Sequence, residues 1–249
     1  EHKMGIHGNS TCVMNYDDAQ GWLIGEENRG LNAMFVMMNT ERLMVAMQGL
    51  AQSEVAYQNA AAYAKERLQG RALTGAKQPS KSADPLIVHP DIRRMLLEIR
   101  SFNEAARALA IWIALALDEA EGAPDDKTRE AANDRIGLLT PVAKAYFTDM
   151  GFENAVKAQQ VLGGHGYIHE WGMDQFVRDA RITMIYEGAN GVQALDLVGR
   201  KLPMNGGRAV AALISEIDDY LAENASDPKL SPYLSALEKS LGLLKQASA

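Results

Sequence analysis

Apolar side chains recur at helical spacing along most of the chain. The first series consists of Leu31, Met34, Phe35, Met38, Met44, Met47, Ala51 and Val55. Residues that repeat every three or four positions lie on one face of an α-helix. The pattern therefore predicts a long first helix that begins after Gly25 and ends before the glycine- and proline-rich stretch 70–85.

Further helices are predicted at about 90–121, 126–140, 141–162, 189–200 and 210–221, with a last one from Pro232 onward. We separate the third helix from the fourth because Thr140 is a favoured N-cap residue and Pro141 suits the first helical position. Long helices joined by short loops describe a mainly α fold, an antiparallel helical bundle. A bundle does not by itself name an activity.

The two ends of the chain differ from this bundle. Residues 1–25 are rich in Gly, Asn, Thr and Val and are interpreted as the remnant of a β domain. The bundle is assigned to residues 26–202, and residues 203–249 to the start of a C-terminal helical extension. Because the first residue is not Met and the leucine stripe through Leu241 and Leu244 continues almost to the end, we expect a fragment of a longer protein.

Composition excludes several classes of protein. The chain has 249 residues, is 47% hydrophobic and carries a formal charge of −7, which disfavours disorder and opposes binding to nucleic acid or anionic lipid. The stretch 108–117 is too short to span a membrane. The single cysteine, Cys12, and the absence of Cys and His at metal-ligand spacing suit a reducing, cytoplasmic setting without a metal site.

Two loops could bind ligands, although each also has an ordinary structural explanation. The loop after the first helix carries Lys65, Arg67, Arg71, Lys77 and Lys81. It is interpreted as a solvated connection between helices. The sequence GGHGYI at 163–168 lacks the flanking elements of a P-loop, so its glycines are interpreted first as a helix C-cap, and His165 and His169 as satisfied or exposed histidines.

Glu187 stands alone between the apolar run ITMIY and a glycine. A carboxylate that neighbours such as Ile185 and Tyr186 partly shield from water can act as a general base near neutral pH. The same residue also suits the N-terminal end of the helix predicted after Gly188, where an acid stabilises the helix dipole. The local pattern leaves both interpretations open.

The order of motifs resembles one known family. The segment AQQVLGGHGYIHEWGMDQFVRDARITMIYEGANGVQ is similar to the C-terminal signature of acyl-CoA dehydrogenases, in which Gln-x-x-Gly-Gly lies upstream of an Arg-Asp element and Tyr-Glu-Gly. The resemblance extends over about 200 residues. The long linker 74–96, the element LLTPVAKAYFTD and the helices after GRKLP resemble a longer subgroup that includes 3-methylmercaptopropionyl-CoA dehydrogenase-like enzymes.

The resemblance implies α,β-dehydrogenation of an acyl-CoA thioester to a 2-enoyl-CoA. Glu187 matches the base that abstracts the α-proton, while FAD takes the β-hydrogen as hydride. Gly188 and Tyr186 of the same motif, and Arg42, match positions on the substrate side of the pocket, although Asn39 stands where many members have Asp. The subgroup suggests a short or branched acyl group, with a sulfur-containing chain as one option.

The resemblance also implies a cofactor site shared between subunits. Arg67 matches an arginine that meets the FAD diphosphate of a neighbouring subunit, and Gln160, Gly163 and Gly164 match a second contact of this kind. A homodimer or tetramer, with an electron-transfer flavoprotein as acceptor, is therefore expected. The segment LQGR and the residues Ala189 and Gly191 depart from the family pattern.

Two alternatives stay open at this point. An acyl-CoA oxidase would use the same base but would let oxygen reach the reduced flavin. A helical scaffold or oligomerisation module could keep the fold without catalysis. The intact Tyr-Glu-Gly and Gln-x-x-Gly-Gly elements favour an enzyme.

Overall fold

The computed structural model describes residues 1–248, without the side chain of Asn39, so the departure at that position lies outside the described residues. The described part is mainly helical. Its α-helices are α1 Gly30–Glu66, α2 Pro90–Gly122, α3 Asp126–Val161, α4 Met173–Arg181, α5 Asn190–Asp196, α6 Arg208–Asn224 and α7 Ser231–Ser248. Short 3₁₀ turns lie at Leu86–Val88, Gly163–Tyr167, His169–Trp171, Ile182–Met184 and Met204–Gly207, and a π turn at Leu197–Lys201. The mainly α fold expected from the sequence is confirmed.

The break predicted at Thr140 is wrong. Helix α3 continues through Pro141, although a proline inside a helix removes one hydrogen bond and crowds the carbonyl four residues earlier. That earlier residue is Gly137, which has no side chain. Leu139 before the proline and Ala143 and Phe147 after it are all buried, so packing on both sides overrides the local stop signal.

Residues 1–25 contain no strand in the structure. A strand needs a neighbour to pair with, and the described residues 1–248 supply only an isolated bridge between Leu68 and Pro85. The first residues instead dock on α4: the Ile6 amide donates to Asp179 Oδ1 at 2.7 Å, and Arg178 donates to the Met4 carbonyl at 3.0 Å. The proposed domain boundaries at 25 and 202 remain predictions.

The chain divides into two compact units. The first consists of Glu1–Ile111 and Ala143–Gly191. Its helices approach closely where Gly49 of α1 meets α3, because a methyl group on Gly151 would lie 2.4 Å from the Gly49 carbonyl oxygen. These glycines therefore permit backbone contact between the two helices.

The second unit consists of Trp112–Val142 and the residues from Val192 onward. Within it Arg208, at the start of α6, donates to both carboxylate oxygens of Asp134 on α3 and to Glu130. The Arg135 guanidinium lies 4.6 Å from the centre of the Trp112 ring. Among the helices of residues 1–248, none is long and apolar enough to cross a membrane.

The basic loop between α1 and α2 has a buried centre. Asp84 is fully buried and accepts hydrogen bonds from the backbone amides of Ala72, Lys77 and Gln78 at 3.0, 2.9 and 2.7 Å. Arg71 lies 3.4 Å from the same carboxylate. The loop is mostly exposed, as predicted, but it folds around a carboxylate that the prediction of a solvated connection did not include.

Candidate active site

Glu187 lies in a sharp turn between two short helical elements. The 3₁₀ turn Ile182–Met184 ends before it, and α5 begins three residues later at Asn190. Glu187 and Gly188 both have positive φ angles, 54° and 84°. The left-handed conformation costs about 1–2 kcal/mol for a residue with a Cβ, so the surroundings must hold Glu187 in place.

Tyr186 connects this turn to α1. Its hydroxyl donates to Oε1 of Gln48, and the ring is half-buried. Burial raises the pKa of the Tyr186 phenol, an effect that the hydrogen bond to Gln48 opposes and that the charges of Glu187 and Glu41 reinforce. The phenol is therefore a neutral hydrogen-bond donor that fixes the residue before Glu187.

Lys144 connects the same turn to α3. Its side chain is fully buried, and Nζ donates to the Gly188 carbonyl at 2.7 Å and to Asn190 Oδ1 at 2.9 Å. Burial lowers the pKa of Lys144 to about 8. The charge of Arg42 acts in the same direction, and the charges of Asp149 and Glu187 oppose it.

Asn190 adds further bonds between the turn and α3. Its side-chain amide donates to Asp149 Oδ1 at 2.7 Å, to Thr148 Oγ1 at 3.0 Å and to the Ala145 carbonyl at 3.2 Å. Its oxygen accepts from Lys144. One asparagine thus binds the start of α5 to residues 144–149 of α3.

The structure brings together the residues that the sequence assigned to the base and the substrate. Arg42 on α1 and Glu187 both act on the pKa of Lys144, and Glu187 acts on that of Tyr186, so the four groups share one region. Gly188 adds no side chain to it. A carboxylate held beside a phenol, two cations and a glycine can take a proton from a substrate that lies against the glycine.

The cofactor candidates form a second group. Arg67 follows the last residue of α1, and Gln160, Gly163 and Gly164 lie where α3 ends. Helix α1 contains Arg42 and ends directly before Arg67. The 25 residues from Arg42 to Arg67, at 1.5 Å each, correspond to about 37 Å between these two arginines. The base group and the cofactor group of one chain are therefore far apart along α1.

The second group is open to a ligand. Arg67, Gln160, Gly163 and Gly164 are exposed, and a methyl group added to either glycine would meet nothing within 4 Å. Gly163 has a φ of 58°, consistent with the predicted C-cap. A guanidinium, an amide and two unshielded glycine backbones suit the anionic oxygens of a diphosphate.

Aromatic side chains support the glycine turn. His165 stacks on Trp171 with ring centres 4.7 Å apart, and its Nδ1 lies 2.8 Å from the Tyr63 hydroxyl. His169 is exposed and pairs with Asp174. Both histidines therefore have ordinary structural partners or are exposed, as predicted. The described residues contain no group of three His, Cys, Asp or Glu side chains that could hold a metal ion.

Comparison with known proteins decides the family. A family model described as acyl-CoA dehydrogenase, C-terminal domain, matches residues 28–202, which include both candidate groups. The chain belongs to the acyl-CoA dehydrogenase family. The resemblance found from the motifs is confirmed.

Individual relatives agree with this assignment. A 3-methylmercaptopropionyl-CoA dehydrogenase of Ruegeria pomeroyi is 47% identical over 229 residues, which cover 91% of this chain and 38% of the relative. A butyryl-CoA dehydrogenase of Syntrophomonas wolfei is 36% identical and covers 96% of this chain and 40% of the relative. The chain thus spans about two fifths of the length of these curated relatives.

A solved structure shows the same fold. Caenorhabditis elegans ACDH-11, crystallised in complex with C11-CoA, superposes with a TM-score of 0.74 at 22% identity. The match covers 90% of this chain and 35% of that one. At this identity the likeness concerns the fold alone.

Lys144 and Asn190 are the site residues that sequence reasoning missed. A signal for Lys144 was present, because it stands in the segment PVAKAYF between the buried residues Ala143 and Phe147. A lysine at an inward position of a helix needs a polar partner. No local pattern indicated that this partner would be the turn of Glu187.

Proposed function

We propose that the protein containing this chain is an FAD-dependent acyl-CoA dehydrogenase that converts an acyl-CoA thioester to the 2-enoyl-CoA. Glu187 takes the α-proton. FAD, when bound, would be the oxidant that accepts the β-hydrogen with its electron pair, as hydride. The Cα–Cβ single bond becomes a double bond, so the substrate loses one proton and one hydride.

The observation that carries the proposal is the turn that presents Glu187. The carboxylate is half-buried, it lies next to a glycine, and hydrogen bonds from both α1 and α3 hold its neighbours. An α-proton is weakly acidic, so its removal needs a base that is fixed close to it and shielded from water. An ordinary helix-dipole acid would need none of these features.

The second group fits the diphosphate of FAD. The exposed guanidinium of Arg67, the Gln160 amide and the open glycines would hold it. Along α1, Arg67 lies about 28 Å from Gln48, which binds the residue before Glu187, so this group is far from the base of the same chain. We therefore propose that each chain supplies its base to one site and its diphosphate contacts to the site of a neighbouring copy.

The relatives support a choice of substrate class. The Ruegeria relative, at 47% identity, is named for a sulfur-containing acyl group, and the Syntrophomonas relative for butyryl-CoA. We propose a short or branched acyl-CoA as substrate, with a sulfur-containing acyl chain among the candidates to assay. Arg42 would lie on the substrate side, near the base.

The test of the base is Glu187→Gln in the full-length protein. We expect turnover to fall by at least 10³-fold while the FAD content stays unchanged, since the amide keeps the shape but cannot take the proton. Glu153→Gln on the exposed face of α3 is the matched control and should keep wild-type turnover. Near-normal turnover of Glu187→Gln would refute the proposed function.

The test of the cofactor group is Gly164→Val. A Cβ at this position meets nothing within 4 Å in this chain, so stability should change little, whereas the FAD content of the purified protein should fall. Gly122→Val, at the end of α2, also enters open space and is the control. An unchanged FAD content in Gly164→Val would contradict the assignment.

Two further features of the proposal concern partners. We propose an electron-transfer flavoprotein as the electron acceptor and a homodimer or tetramer as the assembly. Assays with that flavoprotein and with oxygen would separate a dehydrogenase from an oxidase. Sedimentation analysis would report the number of subunits, and a monomer with full FAD content would contradict the shared site.

A further inference from the structure

We propose that Lys144 is a positioning residue for the catalytic carboxylate. It fixes the backbone of the turn 187–190 on helix α3 and so sets where the Glu187 side chain stands. The inference rests on the proposed role of Glu187 as the base. Lys144 lies in the element LLTPVAKAYFTD, to which the sequence analysis assigned no catalytic role.

The full burial of the Lys144 side chain needs a specific explanation. Lysine is among the residues least often fully buried, because an ammonium group loses strong hydration. Lys144 is nevertheless fully buried in a helix whose inward neighbours are Ala143 and Phe147. An apolar residue there would avoid the desolvation cost, so the lysine is explained by what its Nζ binds.

The Lys144 Nζ binds the turn on the C-terminal side of the base, through one backbone carbonyl and one side-chain oxygen. The two acceptors are the Gly188 carbonyl at 2.7 Å and Asn190 Oδ1 at 2.9 Å. Gly188 directly follows Glu187, and both have left-handed backbone conformations. A bond to the carbonyl of the second residue therefore limits rotation of the strained pair.

The other side of the turn is held independently. Tyr186, directly before Glu187, donates to Gln48 of α1. The turn is thus attached to α1 before the base and to α3 after it. Removing Lys144 would leave the bond of Tyr186 to Gln48 and the bonds of Asn190 to α3 in place, but it would release the Gly188 carbonyl directly after the base. The Glu187 side chain would then no longer be held in one direction.

The charges around Lys144 agree with this arrangement. The groups that act on its ammonium are Asp149 on α3, Glu187 in the turn and Arg42 on α1. Burial favours the neutral amine, which still has two N–H donors for the two acceptors. The positioning bonds therefore do not depend on the charge.

The test uses Lys144→Met in the full-length protein, because methionine fills a similar volume without a donor. We expect kcat to fall about 10- to 100-fold, the cost of a base displaced by about 1 Å. KM and FAD content should stay within about threefold of wild type. With an α-deuterated substrate the isotope effect on kcat should rise, since α-proton removal becomes slower than the other steps.

A second readout does not depend on catalysis. Amide hydrogen exchange of the segment 186–192 should become faster in Lys144→Met and stay normal elsewhere in α3. Lys157→Met is the control, because Lys157 lies on the same helix but pairs with Glu98 at the surface. If Lys144→Met fails to fold, Asn190→Ala removes one of the two acceptors and should show a smaller change of the same kind.

The outcomes separate this inference from the proposed function. Wild-type kcat and wild-type exchange in Lys144→Met, together with an inactive Glu187→Gln, would overturn the role of Lys144 alone. An active Glu187→Gln would overturn the base. A raised KM, a reduced FAD content and faster amide exchange throughout the protein, in both Lys144→Met and Asn190→Ala, would show a general structural role. That result would also overturn the inference.

Discussion

Lys144 and Asp84 are both fully buried charged residues that hold a loop, yet the two sites differ. Asp84 is surrounded by three backbone amides and Arg71, and its pKa is lowered to about 2, chiefly by the hydrogen bond from the Ala72 amide. Lys144 has two acceptors, and burial lowers its pKa to about 8. The carboxylate is stabilised in its charged form, whereas the ammonium is not.

The difference separates a structural anchor from a functional one. A fully hydrogen-bonded carboxylate stabilises the loop that contains it, so removing the carboxylate should lower the stability of the folded loop. A buried ammonium beside a candidate base costs free energy, which is expected where function rather than stability selects the residue. Variants and pH can test this contrast.

The largest effect is expected for Asp84→Ala. Three backbone amides would lose their acceptor, so the loop 70–85 should open and Tm should fall on the order of 5 °C or more. Thermal unfolding and hydrogen exchange of the loop would measure the change. Asp91→Ala, at an exposed ion pair with Arg94, should have almost no effect.

The pH dependence at Asp84 sharpens this prediction. Its folded-state pKa lies below the ordinary value of 3.8, so its contribution is complete above about pH 4 and is lost as the pH falls towards 2. The difference in stability between the wild type and Asp84→Asn should shrink over that range. A difference independent of pH would contradict the carboxylate's role.

A rise of stability with pH is also expected for Lys144, but in the alkaline range. Its pKa is lowered from 10.5 to about 8, so the unfolded chain binds more protons between these values and stability rises with pH across the window. The free energy of unfolding of the wild type relative to Lys144→Met should increase by up to about 3 kcal/mol from pH 8 to pH 10.5. Denaturant titrations at several pH values would detect it, and a flat or falling difference would refute it.

The smallest effect is expected for Asn190→Ala. The variant removes one acceptor of Lys144 and the bonds to Asp149, Thr148 and the Ala145 carbonyl, and it leaves the bond between Lys144 and the Gly188 carbonyl. Stability should fall by only about 1 kcal/mol, because Asn190 is half-buried and water can replace it as a partner. A loss as large as that of Asp84→Ala would mean that the two loops are held in the same way.

Local patterns predicted much of the fold. Helical spacing identified α1, α2, α6 and α7 close to their observed bounds. The series that indicated α1 is nevertheless largely exposed, for example at Leu31 and Met44, and the buried face of α1 contains Leu43, Ala46 and Leu50 instead. The error at Pro141 arose because a local stop signal cannot report Leu139 and Phe147, which pack on either side. The absence of strands in residues 1–25 has a related cause, since strands form only with partners.

The candidate site was predicted in part. The order of motifs, rather than the local pattern, proposed Glu187, Gly188 and Tyr186 as site residues, and these three lie in one turn of the structure. The contacts that hold the turn come from Gln48 and Lys144, more than 40 residues away in the chain. Such long-range partners become visible only when the helices are packed.

The most direct test of the central claim is a single-turnover measurement on the full-length protein. Under anaerobic conditions a short-chain acyl-CoA should bleach the flavin absorbance of the wild type rapidly. Glu187→Gln should bind the same acyl-CoA and keep its yellow colour over the same period, with Glu153→Gln behaving as the wild type. Bleaching of Glu187→Gln at the wild-type rate would show that another group removes the α-proton.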